Sequence, residues 1–333
     1  MSERKPTLLL SGFADECDQL KRVEQQFAVF AALGLQHLTL RFIDVGQGVK
    51  NIMQLTGDEV AKVKKLLGEY GLKVSSIGSP IGKVKLQDVE DGTSNRYVPF
   101  KQYLENEVRR ACELACEFDT KLLRGFSFYH PRGNEASDHI SQVVGQLGEI
   151  AGVVDSFGLT YGLEVEANLV GQTGKLLGRI HDAVDHPAIV LIFDGANLVC
   201  QGMRPEQVFE EYMAMRDGLG WIHIKDYRTP GVRSAYVDEE SLNAFVPADL
   251  GDSGHEAILR DFASVIPKIE ARMRARGVEG VFADLEPHVK GGGQFGGYSG
   301  PDGFGVALRG FCRLLDYIGI NYSLRTFDSL AGR

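Results

Sequence analysis

Gly220-Trp221-Ile222-His223-Ile224-Lys225-Asp226 is a short apolar run that ends in an imidazole, an ammonium and a carboxylate. Such a run reads as a buried strand that delivers polar side chains at its C-terminal end. The design occurs three more times, in Tyr161-Gly162-Leu163-Glu164-Val165-Glu166, in Ile189-Val190-Leu191-Ile192-Phe193-Asp194 and in Gly280-Val281-Phe282-Ala283-Asp284-Leu285-Glu286. Glu164 and Asp194 are 30 residues apart, and Asp194 and His223 are 29 apart. That spacing is about one βαβ repeat. Strands one repeat apart run parallel, so these four side chains should meet on one rim. Three carboxylates and an imidazole converging there call for a cation.

Working outward, apolar runs over 7–13, 37–42, 73–78 and 121–126 precede the four strands at 160–166, 188–194, 221–225 and 278–286. Helical periodicity fills 15–34, 56–70, 100–118, 136–157, 173–185, 205–218 and 256–276, with Thr56 and Glu59 forming a capping box and Gly71 a stop. Eight strands alternating with helices predict a single (β/α)8 TIM barrel spanning 1–333. A doubly wound open sheet would want a glycine-rich phosphate turn after its first strand, and Ser11-Gly12-Phe13-Ala14-Asp15 is not that fingerprint. Two connections are oversized: 227–255 after strand seven and the glycine-rich 290–301 after strand eight. Both fall on the face where barrels build their sites.

Composition sets the outer limits. The chain has 333 residues, of which 44% are hydrophobic and 24% charged, as in ordinary soluble domains. A formal net charge of -9 speaks against nucleic acid or an anionic membrane as the main partner, since phosphate binding needs clustered Lys and Arg. The five cysteines are scattered, and Cys112 with Cys116 reads as helix packing rather than a metal pair. The stretch Met1-Ser2-Glu3-Arg4-Lys5-Pro6 leads into a strand with no apolar segment behind it, so a cytoplasmic location is expected. The oligomeric state is left open, a homo-oligomer included.

The expected ligand set is Glu164, Asp194, His223 and Glu286. Hard oxygen donors with one nitrogen favour Mn2+, Mg2+ or Co2+, with Zn2+ also admissible, over the thiolate-rich sites of structural zinc. Each residue alone has a plainer reading, as a helix cap, an ion pair or a satisfied rim histidine; their recurrence at four strand ends favours the metal. Glu166 shares a strand face with Glu164 and competes with it, Glu164 being the preferred ligand and Glu166 a substrate contact. Lys225 shares a face with His223 and either meets substrate or pairs with Asp226 or a rim carboxylate. Asn197 either caps its loop or orients a ligand.

Leu163-Glu164-Val165-Glu166, Phe193-Asp194-Gly195-Ala196-Asn197, His223-Ile224-Lys225-Asp226 and Leu285-Glu286-Pro287-His288 resemble the signatures of the xylose-isomerase-like TIM barrels. That superfamily includes sugar phosphate isomerases and epimerases, ketose 3-epimerases and the endonuclease IV type of DNA repair enzyme. The resemblance implies a divalent-metal-dependent isomerase or epimerase acting on a small carbohydrate through an enediolate, with Glu164 and Glu286 as acid and base. A lyase acting on 3-keto sugars or glycosides is chemically adjacent, and a sugar-binding barrel without turnover is the non-enzymatic alternative.

The sequence departs from the DNA-repair branch, which carries more histidines; here strand three ends Gly78-Ser79-Pro80. The loop around Gly291-Gly292-Gly293 is open to three readings: a phosphate cradle, a lid or a long turn. Arg41, Arg124 and Lys85 are basic candidates for an anionic substrate group, and His130, His255 and His288 are candidates for substrate contact. His37, His139, His181 and His186 read as structural.

Overall fold

The computed structural model describes residues 5–229, 237, 242–291 and 297–330. Parts of both oversized connections, 230–236, 238–241 and 292–296, lie outside the described residues, and with them the three readings of the glycine-rich loop.

Eight strands form the sheet: β1 (Leu9–Gly12), β2 (His37–Leu40), β3 (Lys73–Ile77), β4 (Leu122–Gly125), β5 (Thr160–Glu164), β6 (Ile189–Asp194), β7 (Leu219–Ile224) and β8 (Phe282–Leu285). All ladders are parallel and run in the order β1-β8-β7-β6-β5-β4-β3-β2. A single parallel bridge between Phe13 and Thr39, just past β1 and in β2, brings the two ends together into a nearly closed barrel. Around it lie α1 (Val23–Ala32), α2 (Gly57–Tyr70), α3 (Arg109–Glu117), α4 (Ile140–Ser156), α5 (Gly174–Val184), α6 (Pro205–Met215), α7 (His255–Ala275) and α8 (Gly300–Ile318). The expected TIM barrel is the fold observed.

Local chemistry explains the element ends. Thr56 accepts from the Glu59 N–H and Glu59 returns to the Thr56 N–H, while Gly71 closes α2 at φ 62°, a left-handed conformation that glycine adopts without cost. Three expectations need correcting. The helix expected over 15–34 is split into a 3-10 turn, Ala14–Cys17, and α1, because Lys21 at φ 55° breaks the chain and Asp15 and Glu16 turn into the barrel mouth. The helix expected over 100–118 holds a π-helical turn, Leu104–Val108, between Phe100–Tyr103 and α3. Strand eight stops at Leu285, so Glu286 stands one residue beyond it, its N–H bonded to the Ile224 carbonyl at 3.1 Å.

Below the rim the barrel is partly polar. Ser11 and Ser75 share a hydroxyl contact of 2.6 Å, and Thr39 donates to the fully buried Asp284 at 3.1 Å.

Candidate active site

Each strand end delivers its side chain by register. In the ladder between β6 and β7, Asp194 lies opposite His223, and in that between β7 and β8 Asp284 does. Residues two apart on a strand share a face, so Trp221, His223 and Lys225 point to the same side, as do Glu164 and Glu166. The result is a cluster in which donor atoms of Glu164, Asp194, His223 and Glu286 all lie within 4.8 Å of one another, with every residue buried.

The neighbours of this cluster are charged in alternation. His223 Nδ1 is 3.3 Å from Glu164 Oε1 and 3.9 Å from Glu286 Oε2. Lys225 Nζ stands 3.1 Å from both Asp194 Oδ2 and Glu286 Oε2. Arg41 bonds Glu286 Oε1 and, at 3.0 Å, Asp15 Oδ2. Arg124 reaches Glu164 Oε2 at 3.4 Å and passes over the Phe13 and Phe126 rings, each 4.9 Å away. Asn197 donates to Glu164 Oε1 at 3.2 Å and to the Val165 carbonyl at 3.0 Å. Burial alone would push these carboxyls up, but the imidazole of His223 and the Arg124 guanidinium hold Glu164 down to about 2. Lys225 and Arg41 likewise hold Glu286 well below the carboxylate range against the same burial.

A divalent ion suits these donors. Both ring nitrogens of His223 are buried without a hydrogen bond, as is Asp194 Oδ2, which Lys225 meets only as an ion-pair contact. Buried polar atoms are rarely left so unless a ligand takes them. The donor set, three carboxylates and one imidazole, is of the kind that binds hard and borderline divalent metals.

Lys225 pairs with rim carboxylates and not with Asp226, which binds Ser253 Oγ at 2.6 Å. Glu166 sits outside the four-residue cluster, 2.7 Å from Lys83 Nζ, a pairing with no signal in the sequence. His288 stands beside Glu286, its Nε2 3.6 Å from Oε1. Of the looser candidates, Lys85 is spent on Asp91 at 2.8 Å, and His255 is drawn to the Lys225 carbonyl at 2.9 Å and so supports the loop. His130 lies against His139, ring centroids 6.2 Å apart. His37, expected to be structural, pairs with Glu279 at 3.1 Å. Asp15, Glu16 and Lys83 were not singled out; the place of Asp15-Glu16 directly after a barrel strand was the available signal.

Fold and site together define a TIM barrel with a buried carboxylate and histidine centre at the C-terminal ends of its strands. The chain belongs to the xylose isomerase-like TIM barrel family, whose family model matches residues 27–313. Among solved structures it is similar to D-allulose 3-epimerase from Methylomonas sp., at 16% identity and a TM-score of 0.59, over 95% of this chain and 100% of that one. It is also similar to the probable 3-DHS dehydratase AsbF from Bacillus anthracis, at 14% identity and a TM-score of 0.59, over 93% and 99% of the two chains. A third is the IolI protein with a binding zinc atom, at 11% identity and a TM-score of 0.63, over 93% and 99%. No curated protein matches the chain. Among the described residues no helix is long and apolar enough to cross a membrane.

Proposed function

We propose that this protein is a divalent-metal-dependent sugar isomerase or epimerase that removes a proton from carbon next to a carbonyl. The observation that carries this reading is the convergence of Glu164, Asp194, His223 and Glu286 within 4.8 Å in a buried site. Those four residues would hold the ion, which when bound supplies Lewis-acid stabilisation to a developing enediolate. Glu164 and Glu286 come from β5 and the end of β8, three strands apart in the barrel order, which suits one to take a proton and the other to return one. Lys225, Arg124, Asn197 and His288 contact the cluster, Glu166 shares a strand face with Glu164, and these five are the proposed substrate contacts. Among the described residues, Arg41, Arg124, Lys83 and Lys225 each already face a carboxylate, which favours a neutral sugar over a phosphorylated one.

The experiment is solvent exchange. Incubated with Mn2+ in D2O, the protein should introduce deuterium into D-fructose, D-tagatose or D-allulose next to the carbonyl and release an epimer or isomer. Absence of exchange across a broad panel of keto sugars would point to a binding barrel without turnover. An unsaturated product would point to a lyase, the second reading, which the similarity to a dehydratase supports.

A further inference from the structure

We propose that Phe13 is a positioning residue for this reaction, its ring holding in place the two guanidiniums that brace Glu164 and Glu286. The inference rests on the proposed function and adds a residue to it.

Phe13 follows β1 directly and is fully buried. Its backbone is tied to both neighbouring strands: the Phe13 N–H donates to the Leu285 carbonyl at 2.9 Å, just before Glu286, and a parallel bridge joins Phe13 to Thr39, just before Arg41. The Arg41 Cζ lies over the ring, 4.5 Å from its centroid, and so does the Arg124 Cζ, at 4.9 Å. The imidazole of His223 meets the same ring at 89°, centroids 5.3 Å apart. Phe126 also faces Arg124, at 4.9 Å, and Phe42 faces Arg41, at 5.7 Å, but Phe13 is common to both guanidiniums. Gly78 makes room for this stack. A methyl group there would stand 3.1 Å from both Phe13 Cε1 and Arg41 Cβ.

A guanidinium binds in two directions. Its N–H groups donate in the plane of the group, and its flat face, which has no donor and is weakly hydrated, stacks on aromatic rings. Arg41 spends its edge on Glu286 and on Asp15, at 3.0 Å. Arg124 spends its edge on Glu164 Oε2 at 3.4 Å and on the Gly78 carbonyl at 3.3 Å. Both Arg124 contacts are long, and among the described residues its Nε has no hydrogen-bond partner, so the rings carry much of its placement. An aromatic ring within about 6 Å attracts a cation through its quadrupole, most strongly where water is excluded. An aliphatic side chain would fill the same space without that pull.

The consequence reaches both glutamates proposed as acid and base. Freed from the ring, the two guanidiniums would shift on their flexible stems, and the carboxylates they brace would shift with them. Both the ion site and the geometry of proton transfer would loosen.

The test replaces Phe13 site-specifically with 4-fluoro-, 3,5-difluoro- and 3,4,5-trifluorophenylalanine, which nearly keep the ring's shape and drain negative charge from its face in steps. The Kd for Mn2+, read by electron spin resonance, should rise along the series, by about three- to tenfold at the trifluoro ring. With D-allulose, kcat should fall in the same order, by about tenfold, with KM within about threefold. In 15N–1H spectra of the metal-free protein, with the two arginines assigned by their loss in R41K and R124K, rotation about the Nε–Cζ bonds of Arg41 and Arg124 should quicken along the series. The same series at Phe27, a fully buried ring packed against Tyr70 with centroids 6.3 Å apart, should leave all three measurements unchanged. Flat values across the Phe13 series, or an equal trend at Phe27, overturn the proposal. Should the trifluoro protein fail to fold, the two milder rings still set the slope. A wild type that binds no Mn2+ and is inert toward every sugar counts against the reading of the site, and the arginine spectra still decide whether Phe13 holds the guanidiniums.

Discussion

Trp221 lays its indole over the bare Cα of Gly162: a methyl group there would lie 2.2 Å from the ring and 2.8 Å from Ile192 Cδ1. Trp221 is two residues below His223 on the same strand face, so this close approach sets the floor under the cluster. Gly162→Ala should therefore cost roughly 1–3 kcal/mol by overpacking and displace the strand that carries His223. Thermal unfolding should show a midpoint several degrees lower together with weaker Mn2+ binding. A variant that matches the wild type in both would mean that Trp221 moves aside freely.

Lys225 places an ammonium 3.1 Å from two of the four candidate ligands. Its charge opposes a second cation at the same carboxylates. Lys225→Met should tighten Mn2+ binding, by about tenfold for one neighbouring charge in a partly screened site, while abolishing turnover. An electron spin resonance titration of free Mn2+ measures this. Weaker binding in the variant would show that Lys225 holds the carboxylates in place more than it competes for them.

The Lys83 and Glu166 pair is buried on both sides at 2.7 Å. Removing one partner strands a charge, so Lys83→Met should destabilise the fold by about 3–5 kcal/mol, and adding Glu166→Gln should recover much of the loss. Urea unfolding of the three variants checks this. Equal stability of the single and double variants would count against a charge effect.

Away from the site, Glu59 is held down to about 2, first by its hydrogen bond from Lys50 and then by the Thr56 N–H. A depressed carboxyl stabilises the fold above its unfolded value, about 4.3, and loses that contribution as pH falls toward 2. The stability gap between wild type and Glu59→Gln should therefore be full at pH 6 and shrink steadily below about 4.5. A gap that is constant from pH 6 to pH 3 would contradict the assignment.

The sequence carried the barrel and its four central side chains because both follow from short-range pattern. An apolar run ending in a carboxylate or imidazole, repeated at one βαβ interval, fixes strand, direction and rim together. What it did not carry depends on contacts between distant segments. Glu16 meets His288 only because β1 and β8 are neighbours in the closed barrel, and Lys83 meets Glu166 across β3 and β5. The split of the first expected helix hides for a similar reason: the apolar spacing continues through Leu20, while Asp15 and Glu16 are claimed by the barrel mouth. Hydroxyls inside the barrel, such as Thr39 against Asp284, look on sequence like ordinary strand residues.

The most direct test of the central claim is an anomalous-scattering map at the manganese edge from a crystal soaked in Mn2+. The account predicts one strong peak per chain with donor atoms of Glu164, Asp194, His223 and Glu286 at about 2.0–2.4 Å. A peak elsewhere, or none at this cluster with Mn2+ in excess, would contradict it.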